Sequence, residues 1–468
     1  QTRSENQMTD AIRVLCVAVF VALWAGTAAF AAPSTTEVHT LANGMRVIVR
    51  TDHRAPVVVS MVWYKVGSID EFNGTTGVAH VLEHMMFKGT RDVPAGEFSK
   101  TVAAAGGRDN AFTSRDYTGY FQTLHKSHLP LVLRLEADRM VNVILSQEEF
   151  AKEIRVVMEE RRLRTDDQPR SVVYEQLMAA ALGVHPYRRP VIGWMNDIEN
   201  MSVEDAREFY KRWYTPNNAI LVVVGDVEPR EVFDLAEQHF GRIKSRTLPE
   251  RKPQDEPPQR GIKRLTVKAP AEQPYVLMAY RVPVLRDPDK DWEPYALDML
   301  AGVLSGNEAA RLNRTLVREE RLASSAGAGY DGVERGPGLF YLSAVPTAGK
   351  TAEQAEQGLR RELQKIAVEG VAEDELKRVK AQVIASQVYQ RDSMFFQARE
   401  IGATETIGFS YKTLDLMIEK LKQVTPGQVQ AVAKKYFTDD MLTVAYLDPQ
   451  PVAGKRPSAP LPGLRHAQ

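Results

Sequence analysis

The sequence predicts an α+β chain of two homologous domains produced by internal duplication, and three observations carry that prediction. The first is a repeat. Ser202-Val203-Glu204-Asp205 through Tyr214-Thr215 leads into an apolar run at Ala219, and Thr425-Pro426-Gly427-Gln428 through Phe437-Thr438 leads into another at Leu442. The two stretches align without a gap at an offset of 223 (425 − 202). Each reads as a capped helix, an aromatic pair before a Thr, a short polar turn and a strand. One repeat at half the chain length indicates a duplicated domain, because solenoid units run about 20–50 residues. The second observation is residues 245–260, which hold four Pro and many charges and read as a linker. The third is that strand-type and helix-type patterns occur in both halves. The expected divisions are a signal segment over 1–31, a first domain over 32–244, the linker, a second domain over 261–450 and a tail over 451–468.

Lys and Arg total 60 and so do Asp and Glu, which leaves no basic footprint for nucleic acid. The one helix-sized apolar run is N-terminal. Met8, Arg13, the run from Val14 to Ala25 and Ala29-Phe30-Ala31 have the order of a secretory signal, with cleavage before Ala32. The expectation is a bacterial periplasmic or secreted protein without stable membrane insertion after cleavage. The single Cys, Cys16, falls inside the signal, so a metal in the mature chain must be held by His and carboxylate.

Residues 37–50 read as a hairpin with Asn43-Gly44 as its turn. Residues 57–64, Val-Val-Val-Ser-Met-Val-Trp-Tyr, read as a central strand. A Gly-rich loop over 67–77 then leads into Gly77-Val78-Ala79-His80-Val81-Leu82-Glu83-His84-Met85-Met86-Phe87. On a helix, His80 and His84 sit one turn apart on one face with Glu83 beside them, while Val78, Val81, Leu82 and Met85 form an apolar face. Two His at i and i+4 can share a zinc ion, and a neighbouring carboxylate can act as base; this is the inverted His-x-x-Glu-His order. Gly106-Gly107 breaks a further helix, and residues 110–121 read as one strand, an edge able to pair with an extended peptide. Ser146-Gln147-Glu148-Glu149 opens a helix through Arg162 as a capping box. Glu153 and Glu160 share a face of it, two turns apart, but spacing alone leaves Glu159 and Glu160 both open as a third ligand. Residues 219–226 read as a buried strand, followed by a helix from Glu228-Pro229 to Phe240. The second half has no His-x-x-Glu-His.

Together, Asn43-Gly44-Met45-Arg46-Val47, Val62-Trp63-Tyr64-Lys65-Val66-Gly67-Ser68, the His helix, residues 110–121, Glu153 to Glu160 and His185-Pro186-Tyr187 with Pro190-Val191-Ile192-Gly193 resemble the pitrilysin family. The similarity is to the branch of the mitochondrial processing peptidase and its short bacterial relatives, over nearly the whole mature chain. It implies two domains, each a mixed sheet packed with helices, and a zinc endopeptidase acting on short or unfolded peptides in an enclosed chamber. The family places its third ligand about 76 residues past the second His, and 160 − 84 = 76 selects Glu160. The resemblance thus implies one Zn²⁺ per chain on His80, His84 and Glu160, with Glu83 as base and Glu153 orienting a ligand. It also implies substrate contacts at Asn110, Ala111, Phe112 and Thr113 and at Arg318 of the second domain. Active relatives carry a Tyr seven residues after that Arg; Ser324 or Ser325 stands there in this chain. The implied partner is therefore a metal-less paralogue supplying an Arg/Tyr pair in a heterodimer, with a homodimer in which Ser324, Ser325 or Tyr330 substitutes as the alternative. A non-catalytic structural or assembly subunit is the second reading the resemblance admits.

Overall fold

The structure, a computed structural model, describes residues 35–451. The signal read over 1–31 and nearly all of the tail from 451 lie outside the described residues. The first sheet contains β1 (Thr36–Thr40), β2 (Arg46–Thr51), β3 (Val57–Tyr64), β4 (Arg108–Thr113), β5 (Thr118–His125) and β6 (Ala219–Gly225), in the order β1-β2-β6-β3-β5-β4. The second contains β7 (Lys263–Pro270), β8 (Tyr275–Val282), β9 (Ala323–Tyr330), β10 (Gly338–Pro346) and β11 (Leu442–Gln450), in the order β7-β11-β8-β10-β9. Without β1, the two layouts are the same. Each half sets its strands in the order first, fifth, second, fourth, third, with only the first and fifth parallel. Both sheets are therefore mixed, and the duplication is visible in their topology.

The repeated segment keeps its offset in space. Helix Val203–Trp213 and helix Pro426–Tyr436 each begin with a reciprocal capping box, Ser202 with Asp205 and Thr425 with Gln428, which satisfies amides the helix cannot. They lead into β6 and β11. All seven residues of β6 are buried, as a Val-rich run without alternation requires when both faces of the strand are covered.

Three segments differ in detail from the sequence expectation. Residues 110–121 are not one strand but β4 and β5 joined by a turn at 114–117, where the Ser114 hydroxyl accepts from the amides of Asp116 (3.1 Å) and Tyr117 (3.2 Å). A Ser whose hydroxyl accepts from the amides two and three residues on closes such a turn through its own side chain, which outweighs the β-propensity of the aromatic residues around it. The hairpin of β1 and β2 uses a longer connection than Asn43-Gly44 alone, and the Asn43 amide nitrogen is spent on the carbonyls of Phe240 (2.8 Å) and Ile243 (3.0 Å). Residues 245–260 have no regular secondary structure yet are pinned: Glu256 accepts from the amides of Gly183, Val184 and His185, and Arg251 lies 4.3 Å over Trp213.

Each half covers one face of its own sheet with its own helices. The opposite faces are covered by exchange. Helix Pro169–Ala181 of the first half packs Val173, Leu177 and Ala181 against Val267, Leu277 and Ala445 of the second sheet. Helix Met394–Thr406 of the second half packs Ala398 and Ile401 against Met61, Trp63 and Val222 of the first. Gly402 lies so close to Trp63 that a Cβ there would overlap the indole ring. No helix among the described residues is long and apolar enough to cross a membrane. Gly402→Ala is expected to destabilise the chain by about 1–3 kcal/mol, the usual cost of overpacking a filled core. Because Trp63 belongs to one half and Gly402 to the other, a thermal melt should show a single transition moving to lower temperature, not one half melting early.

Candidate metal centre

The helix Val78–Met85 is buried along its whole length, and its N-terminus is fixed by two close contacts. Gly77 (φ +89°) crosses Gly193 (φ +89°) so tightly that a Cβ on either would meet the other segment's carbonyl, Ile192 O or Thr76 O. Only glycine fits both the left-handed backbone and the crossing. Buried Glu71 then accepts from the amides of Gly77 (2.8 Å) and Ala79 (2.9 Å), one on each carboxylate oxygen. Burial pushes Glu71 up to about 8, against the pull of those two amides. Asp197 holds the loop before the helix through the amides of Gly74 and Thr76 and the Thr76 hydroxyl (2.6 Å).

This scaffold aims His80 and His84 at Glu160, the penultimate residue of helix Gln147–Arg161. Glu160 Oε2 lies 3.7 Å from His80 Nε2 and 3.4 Å from His84 Nε2, and one atom from each residue falls within 4.8 Å of the others. Donors on a tetrahedral zinc with bonds of about 2.0–2.1 Å stand roughly 3.3 Å apart. The three buried side chains thus fit zinc in donor type and in spacing, and the cluster of three leaves a coordination position for water or substrate. Glu159 points away, 46 % exposed and paired with Arg162 at 3.1 Å. Glu160 Oε1 is paired with Arg164 (2.6 Å). Burial works to raise Glu160, but the His84 hydrogen bond and the nearby positive charges win and leave it at about 2. Glu153 Oε2 faces His84 Nδ1 at 3.3 Å, with its other oxygen on Lys88 Nζ (2.5 Å), an arrangement that keeps Nε2 directed at Glu160. Burial would lower His84, yet its hydrogen bonds to Glu153 and Glu160 raise it to about 9 in the metal-free chain.

Thr113 Oγ1 donates to Glu83 Oε2 at 2.5 Å. Burial pushes Glu83 up to about 7, and the Thr113 bond opposes the rise. Strand alternation places Ala111 and Thr113 on the helix side of β4 and Asn110 and Phe112 on the other. The Phe112 ring packs edge-on to Trp63 at 5.0 Å and against Gly119, so at Phe112 it is the main chain, not the ring, that is available to a peptide beside Glu83. The Asn110 side chain accepts from the Ala111 amide (2.9 Å). Among the described residues β4 pairs only with β5, which leaves its outer edge open.

His80, Thr113 and Glu160 open into a cleft of about 540 Å³ walled by helix Pro169–Ala181 and residues 187–192. Arg318 is not in it. It donates to the Glu308 carbonyl and lines another cavity with Asn307 and Glu375. Ser324 donates to Val345 O, Ser325 is exposed, and the Tyr330 hydroxyl donates to Pro283 O at 2.5 Å. The second half reaches the site's border instead through Arg335 and Gly336, whose amides bond Asp116 (3.1 Å) and the Tyr187 hydroxyl (3.0 Å). Sequence reasoning missed Lys88, Arg164 and Glu71. Lys88 stands four after His84 and Arg164 four after Glu160, a spacing that could have found them; Glu71 carries no such signal.

Residues 46–194 match the family model described as insulinase, peptidase family M16, and residues 200–383 match the peptidase M16 inactive domain. The chain is 33% identical to the zinc protease PqqE of Helicobacter pylori, over 88% of this chain and 92% of that one. The crystal structure of a protease from Helicobacter pylori superposes with a TM-score of 0.84 at 32% identity, covering 89% of this chain and all of that one. The periplasmic protease PqqL of Escherichia coli shares the fold (TM-score 0.76, 20% identity), with 90% of this chain matching 48% of that chain.

Zinc requires a neutral imidazole, and His84 is protonated below about 9 in the metal-free chain. Zinc titration at pH 7 is therefore expected to release a proton into buffer, and the apparent affinity should rise about tenfold per pH unit up to that value and then level off. Glu153→Gln is expected to weaken zinc binding by about 10–100-fold while the fold persists, measured by competition with a chromogenic chelator.

Proposed function

The chain belongs to peptidase family M16, and on that premise we propose that it is a zinc-dependent endopeptidase cleaving short or unfolded peptides. The observation that carries the reading is the convergence of His80, His84 and Glu160 beside a buried Glu83 bonded to Thr113 of an open edge strand. His80, His84 and Glu160 would hold one zinc ion, which when bound would supply Lewis acidity to a water and to the scissile carbonyl. The rest of the chemistry falls to the chain. The outer edge of β4 holds the peptide extended through main-chain hydrogen bonds. Glu83, poised near neutrality, takes a proton from the attacking water and passes it to the leaving amine. Thr113 steadies the ionised carboxylate and fixes its direction.

A partner completes the site in this reading. Arg318 lies outside the cleft, and Ser324 and Ser325 offer no phenol at the position where relatives place a Tyr. A metal-less paralogue of the same fold, placed to enclose a chamber, supplies an Arg/Tyr pair; a homodimer is the second arrangement. That this chain matches only 48% of PqqL, which is about twice as long, supports pairing with a second body of similar size. A periplasmic setting is supported by the fold shared with the periplasmic protease PqqL and by the signal-like N-terminal run.

Glu83→Gln is expected to lower peptide turnover by about 10²–10⁴-fold with zinc content unchanged by metal analysis. Wild-type chain should cleave a quenched fluorescent peptide when mixed with the metal-less paralogue and not by itself; turnover by the chain alone points to the homodimer. Zinc-loaded chain inactive in both settings would overturn the reading in favour of a structural subunit. Thr113→Val removes a bond that favours ionised Glu83, so the acidic limb of the pH–rate profile should move to higher pH.

A further inference from the structure

The cleft beside the metal residues is unusually cationic. Its lining holds five arginines and two glutamates, and both glutamates are already committed, Glu160 to the metal cluster and Glu175 to a two-pronged pair with Arg161 (2.8 and 2.9 Å). Three of the arginines are committed as well. Arg164 pairs with Glu160, Arg115 bonds the Tyr174 hydroxyl (2.6 Å) and reaches Glu334 (3.4 Å), and Arg189 donates to the Glu71 carbonyl.

Arg170 and Arg188 are different. Arg170 is exposed and lies 5.2 Å from the centre of the Tyr275 ring; Arg188 is partly exposed and donates to the Gly183 carbonyl at 2.7 Å. Neither has a carboxylate within ion-pair reach among the described residues. They come from separate elements, the first turn of helix Pro169–Ala181 and the short helical turn Pro186–Arg188, yet line one cleft. The helix behind Arg170 is itself packed onto the second sheet through Val173, Leu177 and Ala181.

From this we infer that the cleft selects peptides carrying a carboxylate within a few residues of the scissile bond, bound by Arg170 and Arg188. The inference rests on the peptidase reading above and names its substrate class. A volume of about 540 Å³ is in the range of sites for small ligands, and His80, Glu160, Arg170 and Arg188 all line it, so a carboxylate near the scissile bond falls within the same cleft. Guanidinium groups suit a carboxylate because they bind it through two parallel hydrogen bonds, and charge-assisted bonds in a cleft are about twice as strong as neutral ones. The carboxylate has two sources, an Asp or Glu side chain or a peptide's C-terminus.

The test separates binding from turnover. Binding of fluorescent peptides to the zinc-loaded Glu83→Gln chain is measured by anisotropy for three versions of one sequence. One has a Glu near its centre, one has Gln there, and one has Gln there with an amidated C-terminus. A side-chain site predicts roughly 10–100-fold tighter binding of the Glu peptide, falling as salt rises. A terminal site predicts the same loss only on amidation. In Arg170→Gln and Arg188→Gln forms of that chain the discrimination should shrink towards one, with Arg→Lys retaining part of it. Equal binding of all three peptides, or discrimination that survives both Gln substitutions, overturns the inference. Turnover by the wild-type chain, alone and mixed with the metal-less paralogue, is scored separately: activity without carboxylate discrimination defeats this inference alone, and carboxylate-selective binding without turnover in either setting defeats the peptidase reading alone.

Discussion

Each sheet in this chain has two apolar faces, and its own half covers only one. The remaining face of the first sheet is closed by helix Met394–Thr406, and that of the second by helix Pro169–Ala181. Burial of these faces is the dominant favourable term available to the fold, so neither half can satisfy it without the other. The metal cleft inherits the constraint. The helix that covers the second sheet is also the cleft's wall, and the residues on either side of the metal cluster are held by Tyr187, Asp116 and Gly336 from both halves.

Inside that frame, the site is built from carboxylates with opposed tasks. Glu71 and Asp197 hang the loop before helix Val78–Met85, Glu153 faces a ring nitrogen of His84, Glu160 stands against both imidazoles, and Glu83, the base in the proposed function, is bonded to Thr113. Their environments differ accordingly. Glu160, surrounded by His80, His84 and Arg164, is held at about 2, whereas Glu83, buried with one hydroxyl donor, rises to about 7. Two carboxylates pushed apart in this way divide naturally into a permanent anion and a proton carrier.

Much of this was legible in the sequence, and the reasons are local. The repeat at 223 was readable because capping boxes and apolar runs are signalled within a few residues, and the structure keeps the same offset for the helices and for the strands that follow. The mixed two-sheet fold follows the resemblance. The pairing of His80 with His84 was readable from helical spacing, but the choice between Glu159 and Glu160 was not, since it turns on how one helix is rotated against another. The side on which Phe112 packs was missed because the register of β4 is set by Trp63 and Gly119, which are distant in sequence. The turn within 110–121 was overlooked beneath its aromatic residues. The exchanged helices carry no local mark at all: an apolar stripe on residues 169–181 says that something is covered, not which half it belongs to.

The reciprocal packing also bears on how such a protein can diverge after duplication. A second copy with no metal-binding motif would ordinarily be free to decay. Here Gly402 and its helix seal the indole of Trp63 and the outer surface of the sheet whose opposite side supports the metal helix. The half without the His motif therefore lends its twin a shape that the first sheet needs. A change at Gly402 or along helix Met394–Thr406 would be felt in both halves, whereas one on the outer surface of the second half would not reach this contact.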